Sequence, residues 1–488
     1  MFKDHMIKML SIDYESRILV FDYDDMESKY GYNEILVENG FRIIKYEDPT
    51  EFRFIYESEI KHSDEKFAVI VKTEGYVPYD IIKSFYSVEL RLEDIFPRLN
   101  KDALIGESDI DIDLVYEAYG DSYEDMTTYE KTSRYIDEKV YGKENIAKYV
   151  EDIKNDILSS FSQDIRDYKE WIQIAKKKGK AEYLAAMKNI SVDFSFIDDR
   201  FKEFIFREYK MLSGNVNKKS PIMVNRVMDF ITKEKSKVAL IVLDGMSIFD
   251  FNIISSEFKN IEYEEDYIYA MIPTMTSISR QSLLSGKLPK MLENPFKLTD
   301  EQKEFKSKAK SEGYLENQIL YARGYDFDIG HSVKCVAVIL NDIDDLVHAQ
   351  LQGRTGMYND ISYLAKSKRI QKLIHRLSET GFDIYITSDH GNTLCRGLGR
   401  KRTGVEVETK SKRMIVMKDF AEKEAEEFLE NYGMIKYPGY YMSDEYTYLV
   451  CDTGTSFDDL NSMVMTHGGV SIEEIIVPFI KVKAVHHG

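Results

Sequence analysis

Seven residues in the C-terminal half of the chain have the types and spacing of a metal-assisted site. Asp244 ends the run Val238-Ala-Leu-Ile-Val-Leu-Asp244, and Gly245 behind it permits a tight turn that leaves the carboxylate at a sheet edge. Thr276 stands in Pro273-Thr-Met-Thr276-Ser277, where Thr276 or Ser277 caps a helix. A hydroxyl there meets free N–H groups and the positive end of the helix, which suits a nucleophile facing a phosphoryl oxygen as well as it suits a plain cap. Asp344 and His348 are four apart and share one helical face, whereas Asp342 and Asp345 lack that relation to His348 and fall to the surroundings of the site. Asp389 and His390 are adjacent at the end of the run 382–389, and His467 sits in Thr466-His-Gly-Gly469 before the last apolar run. Singly, each fits an ordinary turn or a structural histidine. Together, three Asp, three His and one Thr suffice for two cations of mixed nitrogen and oxygen coordination. Two such ions about 4 Å apart clamp a phosphoryl group and stabilise both its attacking and leaving oxygens.

These positions need a sheet to carry them. Apolar runs at 238–244, 333–342, 382–389 and 473–482, separated by helical segments, predict an α/β fold with a mostly parallel sheet and helices on both faces. The acidic and imidazole residues collect at the C-terminal ends of those runs, where open α/β sheets hold their ligands. Upstream, apolar runs at 16–22 and 66–72, a helical stretch at 33–39 and a strand-like 41–45 predict a small α/β domain over 1–100. All nine prolines lie outside 98–220, and helical spacing such as Ile146, Tyr149, Val150, Ile153 and Ile157 predicts a helical linker or partner-contact domain over 101–230. The catalytic domain then runs over 231–488, with a Tyr- and Gly-rich cap insertion around 396–450.

Composition narrows the function classes. Sixty-six Lys and Arg against 85 Asp and Glu leave a net charge of −19, which excludes a protein that coats duplex DNA through its overall field. Any nucleic-acid contact is local, and one segment fits: residues 396–413 hold Arg396, Arg400, Lys401, Arg402, Lys410, Lys412 and Arg413 against Glu406 and Glu408. Arg396, Arg400, Lys401 and Arg402 are candidate contacts for a polyanion, or else a solvated basic hairpin. Arg280, one turn beyond Thr276, is a candidate contact for a phosphate oxygen, or else a salt-bridged residue. Three scattered cysteines build no disulfide framework, and no run approaches the roughly 20 apolar residues of a membrane span. The expected setting is a soluble cytoplasmic protein with no membrane contact.

The ordered set Asp-Gly, Pro-Thr-x-Thr, Asp-x-x-x-His, Asp-His-Gly and His-Gly-Gly resembles the alkaline phosphatase superfamily over roughly 237–485. Three segments are similar to the PglZ family within it: Ile272-Pro-Thr-Met-Thr276, Asn341-Asp-Ile-Asp-Asp-Leu-Val-His348-Ala, and His467-Gly-Gly-Val-Ser-Ile-Glu-Glu-Ile-Ile-Val-Pro478. The resemblance implies an alkaline-phosphatase-like fold and two divalent cations, Zn²⁺ ahead of Mn²⁺ or Mg²⁺. Asp244, Thr276, Asp389 and His390 would gather around one ion, and Asp344, His348 and His467 around the other. It implies Thr276 as nucleophile, passing through a phosphothreonine, in a phosphodiesterase or nuclease acting on nucleotide or nucleic-acid diesters, oligonucleotide or DNA. It further implies a BREX-type anti-phage defence system with BREX-system protein partners; a homodimer is compatible. Asp389-His390-Gly391-Asn392 equally resembles the cofactor-independent phosphoglycerate mutase and phosphopentomutase branch. A metal-dependent phosphomonoesterase or phosphomutase, and a catalytically silent scaffold of a defence complex, therefore stand as alternatives.

Overall fold

The structure is a computed structural model that describes residues 2–72, 76–106, 110–120, 125–234, 236–399, 411–418 and 422–485. The chain forms two compact units, Met1–Tyr149 and Val150–Gly488. The first carries a four-stranded parallel sheet of β1 (Arg17–Asp22), β2 (Phe41–Lys45), β3 (Lys66–Val71) and β4 (Tyr86–Leu90), ordered β2-β3-β1-β4. Leu19, Phe67, Val69 and Val71 form its core with Phe52, Ile60 and Ile81 from the covering helical segments. Asp48 starts one of these helices, Pro49–Ile55, by accepting the N–H groups of Thr50 at 2.8 Å and Glu51 at 3.1 Å.

The expected helical domain over 101–230 is instead shared between the two units. Its earlier helices belong to the first, helix Lys143–Ser160 crosses the boundary, and α1 (Tyr168–Met187) belongs to the second. The reason lies in what α1 buries: Trp171, Ile172, Ile174, Ala175, Ala181, Leu184 and Ala185 give it an apolar face. It packs so closely on α2 (Ile248–Ser255) that a Cβ on Gly179 would stand 2.5 Å from Ile248 Cγ2.

The second unit is built on six strands, β5 (Val238–Leu243), β6 (Ile261–Tyr269), β7 (Ile319–Arg323), β8 (Cys335–Leu340), β9 (Asp383–Thr387) and β16 (Ile476–Val485), ordered β6-β16-β9-β5-β8-β7. β9, β5, β8 and β7 are mutually parallel, and β16 runs antiparallel to both β9 and β6. Every residue of β5 and β8 is buried, which is why these strands read as unbroken apolar runs. On one face Ala239, Ile241, Val336 and Val338 pack with residues of α2, α6 (Gly353–Lys366) and α7 (Arg369–Glu379). The opposite face is covered too, since Val238, Leu240 and Val242 are fully buried.

Between β9 and β16, β10 (Thr393–Gly397) pairs with β14 (Thr455–Ser456) and β15 (Met463–Thr466). The expected insertion contains a three-stranded sheet of β11 (Met414–Lys418), β13 (Tyr446–Val450) and β12 (Ile435–Tyr437), with helix Glu422–Tyr432 and a separate small core around Ile415, Met417, Phe428 and Leu449. Among the described residues no helix is long and apolar enough to cross a membrane. Cys335, Cys395 and Cys451 are buried free thiols.

Candidate active site

The ends of the parallel strands bring the seven residues to one edge. Asp244 follows β5, and Gly245 turns the chain with φ +74°. Asp344 and His348 lie on α5 (Asp342–Ala349), which starts two residues after β8, while Asp389 and His390 follow β9. Because β16 runs against its neighbours, the loop entering it with His467 arrives at the same edge. Thr276 opens α3 (Thr276–Ser285), reached from β6 through the Ala270–Met275 connection.

Two groups of ligand types form. Asp344, His348 and His467 offer atoms within 4.8 Å of one another, and so do Asp244, Asp389 and His390. In the first, Asp344 Oδ1 stands 3.4 Å from His467 Nε2 and 3.5 Å from His348 Nε2. In the second, His390 Nε2 stands 3.8 Å from Asp244 Oδ1 and 3.9 Å from Asp389 Oδ2. The rings of His390 and His467 stack at 4.2 Å and 19°, so the groups adjoin. The Thr276 hydroxyl lies 3.0 Å from His390 Nε2. Met275, not Thr276 or Ser277, is the residue preceding the helix, and its side chain makes no cap, so the Thr276 hydroxyl is not spent on capping.

Both tautomers are fixed by backbone carbonyls. His390 Nδ1 donates to Gly391 O at 3.0 Å and His467 Nδ1 to Thr274 O at 2.9 Å, so each ring turns its Nε2 toward the acidic residues of the site. Asp244 Oδ1, Asp344 Oδ1 and Asp389 Oδ2 are buried oxygens without a hydrogen-bond donor. These are the same oxygens that face the imidazoles, at 3.4 and 3.5 Å in the first group, near the roughly 3.3 Å expected between two ligands of one four-coordinate Zn²⁺, and at 3.8 and 3.9 Å in the second. The donor set therefore fits two divalent cations.

Burial, reinforced by Asp389, drives the Asp244 carboxyl well above the usual carboxylate range, and Arg280 only partly offsets this. Burial would also raise Asp344, but His467, His348 and His390 reverse it and hold the carboxyl low. Burial would lower His467, yet the Asp344 carboxylate facing its Nε2 raises it to about 9. His390 and His348 are lowered, chiefly by burial. Side-chain exposure reaches 42% at His348 against 10% at His467 and 0% at His390, which marks the open side of the site.

The supporting residues are less visible in the sequence. Ser388 Oγ accepts Met246 N–H at 2.9 Å, and Asn392 Nδ2 donates to Gly245 O at 2.9 Å and Asp250 Oδ2 at 2.6 Å, so the turns after β5 and β9 are cross-tied. Arg280 has a different placement from a substrate contact: it is fully buried, with Nη1 on Asp244 Oδ2 at 2.5 Å and Nε on Glu301 Oε2 at 2.6 Å. Asp342 accepts from Tyr325 and Arg369, and Asp345 is exposed. In the basic segment Arg396 is exposed and donates to Asn461 Oδ1, Lys412 pairs with Asp458 at 2.8 Å, and Arg413 is buried against Glu474. Arg400, Lys401, Arg402 and Lys410 lie outside the described residues. The segment's charge is thus partly internal: Arg413 is no surface cation, because its guanidinium is neutralised inside the fold.

A family model described as the PglZ alkaline phosphatase-like domain of BREX systems matches residues 222–482. No curated protein matches the chain. Among solved structures, murine ectonucleotide pyrophosphatase/phosphodiesterase 5 is similar at 13% identity over 50% of this chain and 87% of that one, with a TM-score of 0.35. Phosphonoacetate hydrolase from Sinorhizobium meliloti 1021 is similar at 11% identity over 50% and 90%, with a TM-score of 0.33.

Proposed function

The chain belongs to the PglZ family, whose alkaline phosphatase-like domain spans residues 222–482, and from that premise we propose that it is a two-metal phosphodiesterase with Thr276 as nucleophile. The observation that carries the reading is the placement of the Thr276 hydroxyl at the start of α3, 3.0 Å from His390 Nε2 and beside two adjoining groups of ligand types. Asp244, Asp389 and His390 would hold one divalent cation with Thr276, and Asp344, His348 and His467 the other. When bound, the ions supply charge for the buried carboxylates, a lowered pKa for the Thr276 hydroxyl and a clamp on the non-bridging phosphate oxygens.

The residues of the chain do the rest. Thr276 Oγ1 forms a bond to phosphorus as the bond to the leaving alcohol breaks, giving a phosphothreonine; water then cleaves that ester, releasing phosphate monoester and restoring the hydroxyl. The N–H groups of Thr276 and Ser277, in the first turn of α3, would face the anion, since Ile278 and Ser279 already donate to Met275 O. Arg280 orients Asp244 instead of meeting substrate, so it adds no charge for the extra negative oxygen of a monoester. This favours a diester, and Arg396, Arg400, Lys401 and Arg402 would meet its second arm. Substrates are nucleotide or nucleic-acid diesters, and the family's BREX name supports a role in anti-phage defence with partner proteins of such a system. Three buried free thiols suit a reducing cytoplasm.

The test compares bis-p-nitrophenyl phosphate with p-nitrophenyl phosphate on protein stripped of metal and reloaded with Zn²⁺, Mn²⁺ or Mg²⁺. Preference for the diester is expected. Preference for the monoester would move the protein to a phosphatase or mutase, and no turnover with any ion would move it to a scaffold.

A further inference from the structure

The consecutive acids Glu473 and Glu474 sit in the turn that enters β16, and neither is a candidate ligand. Glu474 is fully buried, and each of its carboxylate oxygens has two partners. Oε1 accepts Gly469 N–H at 3.0 Å and the Thr274 hydroxyl at 3.2 Å; Oε2 accepts Ser471 N–H at 3.0 Å and the Arg413 guanidinium. Its backbone carbonyl takes Gly391 N–H at 2.9 Å. Arg413, also fully buried, spends its remaining donors on Ser471 Oγ at 3.2 Å, Thr455 O at 2.9 Å and Asp452 O at 3.3 Å. Thr274 completes the circuit from the other side. Its hydroxyl accepts Gly468 N–H at 3.0 Å and its carbonyl accepts His467 Nδ1 at 2.9 Å, two residues before the proposed nucleophile.

The glycines of His467-Gly-Gly469 follow from this packing. A Cβ on Gly469 would stand 2.6 Å from Arg413 Cζ, and one on Gly468, which has φ +112°, would run into Ser411 Oγ. The loop is pressed against polar side chains on both sides, not merely left slack. A buried ion pair is a poor route to stability alone, since an apolar core of the same volume does as well, but a fully satisfied one fixes a single arrangement.

We infer that Thr274, Glu474 and Arg413 act as one positioning unit that sets the His467 ring and the Thr276 hydroxyl in register with each other. The inference rests on the two-metal reading above, and it concerns residues that touch neither substrate nor ion. Thr274→Val tests it, because the hydroxyl is lost while the volume, the carbonyl to His467 and the Arg413–Glu474 pair remain. Thr274→Ala serves if valine does not fold.

Mn²⁺ binding is measured by equilibrium dialysis on wild type, Thr274→Val and Thr274→Ser, with diester kcat and KM beside it. Partners behind a metal ligand are worth about 10- to 100-fold in affinity or activity. The valine variant is expected to weaken one of the two ions by that factor, leave the other in place, and lower kcat more than KM changes. Serine, which restores the hydroxyl, is expected to restore both. Unchanged affinity and kcat in the valine variant, or a serine variant as impaired as valine, would overturn the inference. Two tightly bound ions without diester turnover in the wild type would instead refute the phosphodiesterase reading and leave the binding comparison intact.

Discussion

Asp244 Oδ1, Asp344 Oδ1 and Asp389 Oδ2 are buried without a donor, and such oxygens are costly unless a cation meets them. Asp344→Ala is therefore expected to remove one bound ion per chain by elemental analysis, with an unchanged count refuting its assignment. Arg280 is the fixed cation on the other side of Asp244, and it also holds Glu301. Arg280→Gln leaves the buried Asp244 carboxylate without its guanidinium, while Glu301 keeps Arg323, and breaking such a buried pair costs about 3–5 kcal/mol, read as a lowered denaturation midpoint in urea. The ligand types were legible because Asp244, Asp389, His390 and His467 each adjoin a glycine or a second ligand, and Asp344 and His348 stand one helical turn apart. The supports were not: Glu301 is 21 positions from Arg280 and Glu474 is 61 from Arg413, so only the fold shows that these charges meet.

At the scale of elements, the buried strands read plainly and three of the four edge strands of the two larger sheets did not. β5, β8, β9 and β16 are apolar runs in the sequence, whereas β4, β6 and β7 each lie at the edge of a sheet. β6 reads Ile-Glu-Tyr-Glu-Glu-Asp-Tyr-Ile-Tyr, with Glu262 and Glu264 exposed, a composition that also guards an edge against pairing with another chain. The turns between elements are tightly fitted. A Cβ on Gly391 would run into the Glu473 carbonyl, so Gly391→Ala is expected to displace the Asp389–His390 turn and lower both thermal stability and ion content. Wild-type ion content in that variant would show that the turn has slack.

Beside the same turn, Lys178 from α1 donates to Glu182 at 2.6 Å and Glu473 at 2.5 Å, and Arg354 from α6 faces both acids. Asp198 lies near this cluster. Burial and then Glu473 push it up to about 7 from an ordinary 3.8, against the opposing pull of Lys178 and Arg413 and with Glu182 adding to the rise. With the folded value raised, the neutral acid is the form the fold favours, so stability falls as pH rises from about 4 through about 7. Asp198→Asn is expected to gain thermal stability over wild type at pH 8 and less at pH 5. A pH-independent difference would contradict this.

For the whole molecule, the boundary of the family match at residue 222 is not the boundary of the physical unit, which begins at Val150. The sequence showed the catalytic sheet but divided the helices by composition. Helices of one composition serve two units here, because what assigns α1 is Gly179 against Ile248 and Lys178 against Glu473. A chain beginning at Lys143 is expected to keep both ions, whereas one beginning at residue 222 loses α1, exposes apolar α2 surface and is expected to aggregate. A soluble, ion-binding product from the shorter chain would show that α1 is dispensable.

On the proposed reading two ion-binding groups serve one threonine. Its most direct test is bis-p-nitrophenyl phosphate turnover by stripped and reloaded wild type and Thr276→Ala, with bound metal counted in both. Two ions and turnover are expected in wild type, and an ion count at or slightly below two with turnover abolished in Thr276→Ala. Full turnover in Thr276→Ala, or a wild type that binds two ions and cleaves nothing, would contradict it.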